Sequence, residues 1–314
     1  MIIKGDKIES FEGKRLDKAL IELYPDFSRS QIQGFLKKSF VKVNGKIEKA
    51  SYLLKYSDVL DVSEFVHENT EIKKQDLKLE ILYEDDEKLV VYKPSGVLTH
   101  LDKNYRENTL VNGLLDKIHV EDFEDKNRPG IVHRLDKETS GLVLVCKTVT
   151  CRDFYLNEFK NRKVEKKYYA IVFGHLKHKM GIIDSPIIRD IKSRKKMSIS
   201  TEKKAKPSIT HFKVLNEYQF GKFKFSLLDL DLKTGRTHQI RVHLSAISHP
   251  VVGDFLYGSK KENDLIKSIS KRMYLDSYRL CFNDSLSKKK LCFEKSLNND
   301  FEAFLSKLEV CGII

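Results

Sequence analysis

The sequence predicts an α+β protein: a larger domain on a mixed, mainly antiparallel sheet with flanking helices, preceded by a small α/β unit. Three observations predict it. From Asp76 onward, strand-like segments follow one another without the helical crossovers that a doubly wound parallel sheet needs. Residues 13–62 carry their own apolar pattern of two short helices and two short strands. Between the two lies Ser63 to Gln75, polar and unpatterned, which reads as a linker. The expected division is therefore 13–62, a linker at 63–75, and 76–314, and 314 residues suffice for two unequal domains with proper cores.

In the small unit, Arg15-Leu16-Asp17-Lys18-Ala19-Leu20 opens a helix whose apolar residues Leu16, Ala19, Leu20 and Leu23 share one face, and Pro25 ends it. Ser28 begins S-R-S-Q, a capping-box spacing with Gln31 three residues on. Ile32, Phe35 and Leu36 then supply the stripe of a second helix. Val41-Lys42-Val43 runs into an Asn44-Gly45 hairpin turn, and an extended stretch around Val59 and Val62 closes the unit.

In the larger domain, Leu79 to Tyr83 and Lys88 to Tyr92 flank an acidic turn, as in a hairpin. Thr109 to Ile118 reads as a helix. Gly141 to Val145 is pure aliphatic after the glycine, hence a buried strand, followed by a helix through about Asn161. Strands are expected at Tyr168 to Phe173, Ile209 to Leu215 and Phe223 to Leu232, then a helix over Thr237 to Ile247, then strands at Tyr278 to Phe282 and Lys290 to Phe293. No internal repeat is present.

A net charge of +13 and a pI near 9.3 point to a polyanionic partner. Clustering sharpens this. Arg189 to Lys206, with Lys195 and Lys196 at its centre, carries eight Lys/Arg against two acids, too charged to pack and too local for uniform bias. It reads as a nucleic-acid-contacting loop. The opening MIIKGDKIES has charges where a signal peptide needs an apolar core, and no apolar run approaches a membrane span. A cytoplasmic protein without membrane contact is expected. The cysteines Cys146, Cys151, Cys281, Cys292 and Cys311 are odd in number and form no C-x-x-C pair, so free, mostly buried thiols are expected and a zinc site is not.

Three segments carry polar residues that a fold alone does not require. Arg128 to Gly141 (RPGIVHRLDKETSG) packs a polar cluster between a turn and an aliphatic strand, where loops commonly hold chemistry. Lys166-Lys167-Tyr168-Tyr169-Ala170 brings basic residues and paired tyrosines into a strand. Thr234 to Leu244 (TGRTHQIRVHL) gives a helical wheel with Ile240, Leu244 and Ile247 on the core stripe, and His238, Arg241 and Ser245 on another face. His133, His238 and His243 lack H-x-x-x-H or H-E-x-x-H spacing and read as structural or RNA-facing.

These segments, together with KPSGVLTH at Lys93 to His100 and with HPVVGD and YG after the third one, resemble the pseudouridine synthases of the RluA type. The pattern R-L-D-x-x-L, S-R-S-x-I, V-x-V-N-G in the small unit resembles the S4 RNA-binding domain, which points to the large-subunit ribosomal RNA branch, most like the RluD subgroup. Between Lys14 and Lys49 nine basic residues face four acids. Arg15, Arg29, Lys37 and Lys38 are the RNA-binding candidates there. The resemblance implies Asp136 as the catalytic aspartate, Arg241 as its arginine partner, and Arg134 as the arginine that enters the RNA as the target base leaves. It implies Tyr168 as the tyrosine that packs on the flipped base and is a candidate base for the C5 proton. Lys93 and His100 are expected to support the pocket. Tyr92, Cys146 and Asn283-Asp284 depart from the family pattern, which more often has Asn, Ala and His-Pro there.

The implied reaction cuts the N1–C1′ bond of uridine, turns the uracil and rejoins it through C5. A carboxylate can form a covalent adduct or hold the sugar meanwhile, and it must be ionised although enclosed, which a partner arginine favours. The base must leave its stack, which calls for flipping and an aromatic platform. Nothing is exchanged with an outside molecule, so neither a cofactor nor a metal is expected. The partner is ribosomal RNA, and the enzyme is expected to be a monomer. An S4-bearing assembly factor with an idle site, or a transfer-RNA substrate, are the alternatives.

Overall fold

The computed structural model describes the chain except at positions 1, 4–7, 9, 26, 28, 64–71, 103–104, 270–271 and 314, with the backbone alone at 2–3, 30, 265–269 and 312–313. The capping box read at Ser28 and most of the linker lie outside the described residues. The chain divides into two compact units, Met1–Glu71 and Ile72–Ile314.

In the first unit, β1 (Ile2–Ile3) is followed by α1 (Leu16–Leu23), α2 (Arg29–Lys37), β2 (Val41–Val43) and β3 (Leu60–Val62), and the sheet order is β1-β3-β2, antiparallel throughout. The apolar stripes do what their spacing predicts: Leu16, Ala19, Leu20, Ile32, Phe35 and Leu36 are buried with Val41, Val43, Leu54 and Leu60 in one cluster. Ile8 joins that core from ahead of the range read as the domain. Asn44 and Gly45 both take positive φ (51° and 77°), as a primed two-residue turn demands.

In the second unit, β4 (Glu80–Glu84) and β5 (Lys88–Lys93) form the expected hairpin, and α3 (Leu110–Gly113) follows. Then come β6 (Ser140–Cys146), α4 (Val149–Lys160), β7 (Glu165–Phe173), β8 (Met180–Asp184), β9 (Ile187–Arg189), β10 (Met197–Ile199), β11 (Ile209–Phe220) and β12 (Phe223–Leu232). The unit ends with α5 (Gln239–Ala246), α6 (Lys260–Ile269), β13 (Leu275–Asn283), β14 (Lys290–Glu294), α7 (Asn299–Leu305) and β15 (Glu309–Ile313). The main sheet runs β15-β11-β12-β7-β13-β6-β5-β4, with β14 on β13 and β8 on β11. The β6–β13 pair is parallel and its other pairs are antiparallel, so the predicted mixed, mainly antiparallel sheet is present.

The parallel contact sits where the sheet must be tightest. Gly141 takes φ +126°, and a Cβ there would lie 2.4 Å from the backbone nitrogen of Ser277. Only glycine lets β6 come that close to β13. The loop entering β6 is thereby pinned over the centre of the sheet, where β12, β7, β13 and β6 lie side by side.

Some expectations need correction. The Thr109 to Ile118 helix shrinks to Leu110–Gly113, capped reciprocally by Thr109 and Asn112, because Gly113 ends it against Leu77 and Leu79. The basic run at Arg189 to Lys206 is not all loop: Arg189, the last residue of β9, and Met197–Ile199 in the middle of the run (β10) pair as an antiparallel hairpin. Ile247 falls past the end of α5 and is exposed. Cys281 and Cys292 are not free thiols. They face each other directly across β13 and β14, Cα to Cα 4.1 Å, and are disulfide-bonded, whereas Cys146 and Cys151 are buried and free and Cys311 is exposed and free. Asp284, one of the departures from the family pattern, has a structural use: it stands 2.6 Å from the fully buried Lys88 ammonium, with Asp85 at 2.7 Å.

Candidate active site

The site is built on the loop from His133 to Thr139, and the KPSGVLTH segment braces it. Thr99 Oγ1 donates to the Leu135 carbonyl (2.9 Å) and accepts the Leu135 N–H (3.1 Å). The Gly96 N–H reaches the Lys137 carbonyl (2.9 Å), and Ser95 Oγ donates to the Glu138 carbonyl (2.7 Å). Fully buried Lys93 donates to the carbonyls of Val97 (2.7 Å) and Lys137 (3.2 Å), and burial pulls its amine down to about 7. On the other side His133 Nε2 accepts the Leu144 N–H (2.9 Å); burial takes this imidazole down to about 3, so it is neutral and structural. The polar density of this loop is thus largely a clamp, and the clamp sets the position of Asp136.

Asp136 projects into a cavity of about 520 Å³ that also takes Arg134, Lys166, Tyr168, His238 and Arg241 into its wall. Arg241 Nη1 donates to Asp136 Oδ2 at 2.9 Å. The same guanidinium grips Asp254 with two hydrogen bonds, Nε to Oδ2 at 2.6 Å and Nη2 to Oδ1 at 2.9 Å. Burial works against the charge on Arg241, but the bonds to Asp254 and the nearness of Asp136 more than offset it, and its pKa is raised. Asp254 is 2% exposed and also accepts the N–H groups of Leu256 and Tyr257 (3.0 and 3.2 Å). The arginine is therefore held by one carboxylate so that it can present a fixed fork to another.

A second group approaches Asp136 from the same turn. His238, at the start of α5, sits in the left-handed region (φ 55°). Its Nδ1 lies 2.9 Å from the Tyr257 hydroxyl, which accepts the Met197 N–H at 2.7 Å. A hydroxyl that accepts from Met197 has its proton free for Nδ1, which leaves the imidazole proton on Nε2. Nε2 is 3.8 Å from Asp136 Oδ2, too long for a hydrogen bond. Burial lowers His238 below its ordinary value against the pull of Asp136, so the ring is neutral. Met197 opens β10, so the basic hairpin β9–β10 is tied to the wall of the cavity.

Tyr168 lies on β7, buried, with its hydroxyl pushed up to about 12, first by burial and then by Asp136. Arg134 is exposed at the mouth. The structure thus gathers Asp136, Tyr168, Arg241 and Arg134 in one place. Lys195 is exposed on the β9–β10 hairpin, and Lys196 lies over the Tyr257 ring at 5.8 Å. Arg15, Arg29, Lys37 and Lys38 belong to the other unit. Arg15 is occupied there by a two-pronged bond to Asp17 (3.0 and 2.9 Å), while the remaining three are exposed. Among the described residues no group of three or more His, Cys, Asp or Glu is placed to hold a metal ion. Asp254 and Tyr257 went unassigned in the sequence. Both lie in the HPVVGD and YG segment, and the signal for them was polar residues in a stretch with no fold requirement of its own.

Residues 87–246 match the RNA pseudouridylate synthase family, and residues 14–60 match the S4 domain. An uncharacterized RNA pseudouridine synthase of Aquifex aeolicus is 38% identical over 312 residues, covering 96% of both chains. The ribosomal large subunit pseudouridine synthase D of Escherichia coli is 36% identical over 249 residues, 79% of this chain and 74% of that one. Human RNA pseudouridylate synthase domain containing 1 superposes with a TM-score of 0.61 at 26% identity, over 75% of this chain and 90% of its own. The chain belongs to the RNA pseudouridylate synthase family, as an RNA pseudouridine synthase with an S4 domain ahead of its synthase unit.

Proposed function

We propose that this enzyme converts specific uridines of large-subunit ribosomal RNA to pseudouridine, with Asp136 as the catalytic carboxylate acting on a nucleotide flipped out of its helix. The observation that carries the reading is the Asp136–Arg241 pair inside a cavity that Tyr168 also lines. A cavity of that size accepts one extruded nucleotide, and its wall supplies an aromatic face and a carboxylate held by an arginine. Arg134, exposed at the mouth, is placed to fill the gap left in the RNA. Tyr168 serves as the stacking platform, and burial, which pushes its hydroxyl up to about 12, disfavours its use as the base for the C5 proton.

Ribosomal RNA as the substrate class rests on the S4 domain and on the relatives named as large-subunit synthases. A ribosomal RNA enzyme works where ribosomes are assembled, so a cytoplasmic location follows from the substrate. Mapping pseudouridine in total RNA from cells with and without this gene tests the reading. Sites lost only from large-subunit RNA are expected. Sites lost only from transfer RNA would move the substrate, and no lost site would leave an S4-bearing factor with an idle pocket.

The first unit should serve targeting. A chain starting at Ile72 keeps Lys73 and Gln75, whose backbone groups bond Asn112, so the synthase core stays closed. It should fold and modify some RNA, with lower occupancy at the native sites and weaker affinity through the loss of Arg29, Lys37 and Lys38. Site occupancy and binding measured for both chains check this, and identical values would remove the S4 domain from targeting.

A further inference from the structure

We propose that Lys166 is an anion-holding residue of the flipped nucleotide, a substrate-contacting group beside Asp136, Arg241 and Tyr168; this rests on the proposed function above. Lys166 stands two residues before Tyr168 on β7, so both side chains point to the same face of the strand, into the cavity. Its ammonium is wedged between the Phe159 ring, 5.5 Å from the centroid, and the Thr234–Thr237 turn, where a Cβ on Gly235 would lie 3.4 Å from Nζ. Among the described residues it has no hydrogen bond and no ion pair.

That arrangement is expensive for a free protein. A cation taken out of water without a counter-charge destabilises the fold, and ordinary surfaces avoid it. The rim of the same cavity already has exposed cations suited to phosphates, Lys160, Arg162 and Lys233. Lys166 differs in being half-buried and recessed, and that partial burial pulls its amine down to about 8. A recessed, unpaired cation is matched by a negative charge that enters with the substrate. Two sources share that chemistry. One is the uracil: the N1–C1′ bond breaks with both electrons going to the ring, C5 then bonds C1′, the C5 proton is lost and N1 gains one. The ring oxygens carry the negative charge in between. The other is the phosphate of the flipped nucleotide itself.

The groups facing Lys166 do not confuse a pH measurement. His133 is already neutral, Phe159 does not titrate, and the other side chains on that wall include the arginines Arg134 and Arg236 and the carboxylate of Asp136. Lys93, pulled down to about 7, titrates nearby but is bound into the loop clamp. Lys166 works charged, so its contribution is present below about 8 and is lost as pH rises through that value.

The test uses the full-length enzyme and RNA carrying tritium at uridine C5, made in cells lacking the gene, with tritium release as readout. Wild-type release establishes the activity first, so failure of the function and failure of this inference are separable. Lys166→Met should raise the thermal midpoint of the free enzyme by about a degree or more, because an unpaired, half-buried charge is gone, and lower kcat/KM by roughly 10²-fold. Lys166→Arg should recover most of the rate and lose the basic limb near pH 8. If the anion is on the uracil, Lys166→Met loses single-turnover rate at saturating RNA with Kd unchanged. If it is the phosphate, Kd rises, its salt dependence becomes shallower and the saturated rate holds. Wild-type rate and affinity in Lys166→Met, or a lowered midpoint with no rescue by Lys166→Arg, overturns the proposal.

Discussion

Asp136→Asn is expected to abolish pseudouridine formation, by at least ~10⁴-fold in single-turnover rate, while RNA affinity stays near wild type. The amide keeps the shape of the side chain and still offers an oxygen to Arg241 Nη1, now 2.9 Å from the carboxylate. The fold should tolerate the change, because the Arg241 charge remains matched by the two bonds from Asp254. What disappears is the charge that attacks or holds the sugar. Affinity comes mainly from phosphate contacts by exposed basic residues, none of which the substitution touches. The measurement is tritium release under single-turnover conditions beside a binding isotherm. Multiple turnover by the purified variant would remove Asp136 from the chemistry.

Much of this was legible in the sequence, for identifiable reasons. Aliphatic runs such as Leu142 to Val145, and the helical stripes of the first unit, announce buried elements because burial is what their periodicity encodes. The strands β9 and β10 escaped because each is only three residues long and the segment between them is a run of basic residues. They hold shape by pairing with each other and through Met197 on Tyr257, which no local pattern records. The helix α6 escaped because half of its residues are charged and its apolar stripe is short. The Cys281–Cys292 bond depends on the register of β13 against β14, and spacing along the chain does not contain register.

The site shows the same split. Asp136 and Arg241 are 105 residues apart and were paired only through family resemblance. Asp254 was quoted within a motif and given no task, since nothing local says that a buried arginine has two carboxylates to satisfy. The wheel that grouped His238, Arg241 and Ser245 was right about their common direction. It was wrong about His238 being helical: that residue is the left-handed cap of α5. Lys166 looked like one more basic residue entering a strand, because desolvation is a property of the folded cavity alone.

Arg241→Ala should cripple catalysis more severely at low pH than at high pH. Arg241 is 7% exposed and serves two carboxylates, so its loss has two separable consequences. Asp254, 2% exposed, keeps its backbone donors at Leu256 and Tyr257 but loses its counter-charge, which costs about 3–5 kcal/mol of stability. Asp136 loses the guanidinium at 2.9 Å, while the neutral imidazole of His238 stays at 3.8 Å. A carboxylate deprived of a contacting cation takes up a proton more readily, and the reaction needs it ionised. The acidic limb of the rate profile therefore moves to higher pH, and raising the pH recovers part of the loss. The part that came from orientation, roughly 10²-fold, is not recovered. Arg241 itself cannot produce the wild-type limb, since its raised pKa keeps it charged throughout. Asp254→Asn is the control: Arg241 remains and Asp136 becomes its one carboxylate partner, so rate falls through looser positioning while the acidic limb stays or moves down. Single-turnover rates from acidic to neutral pH, at saturating RNA and below each variant's unfolding temperature, decide it. If the limb of Arg241→Ala coincides with that of wild type, Arg241 acts on Asp136 through geometry alone.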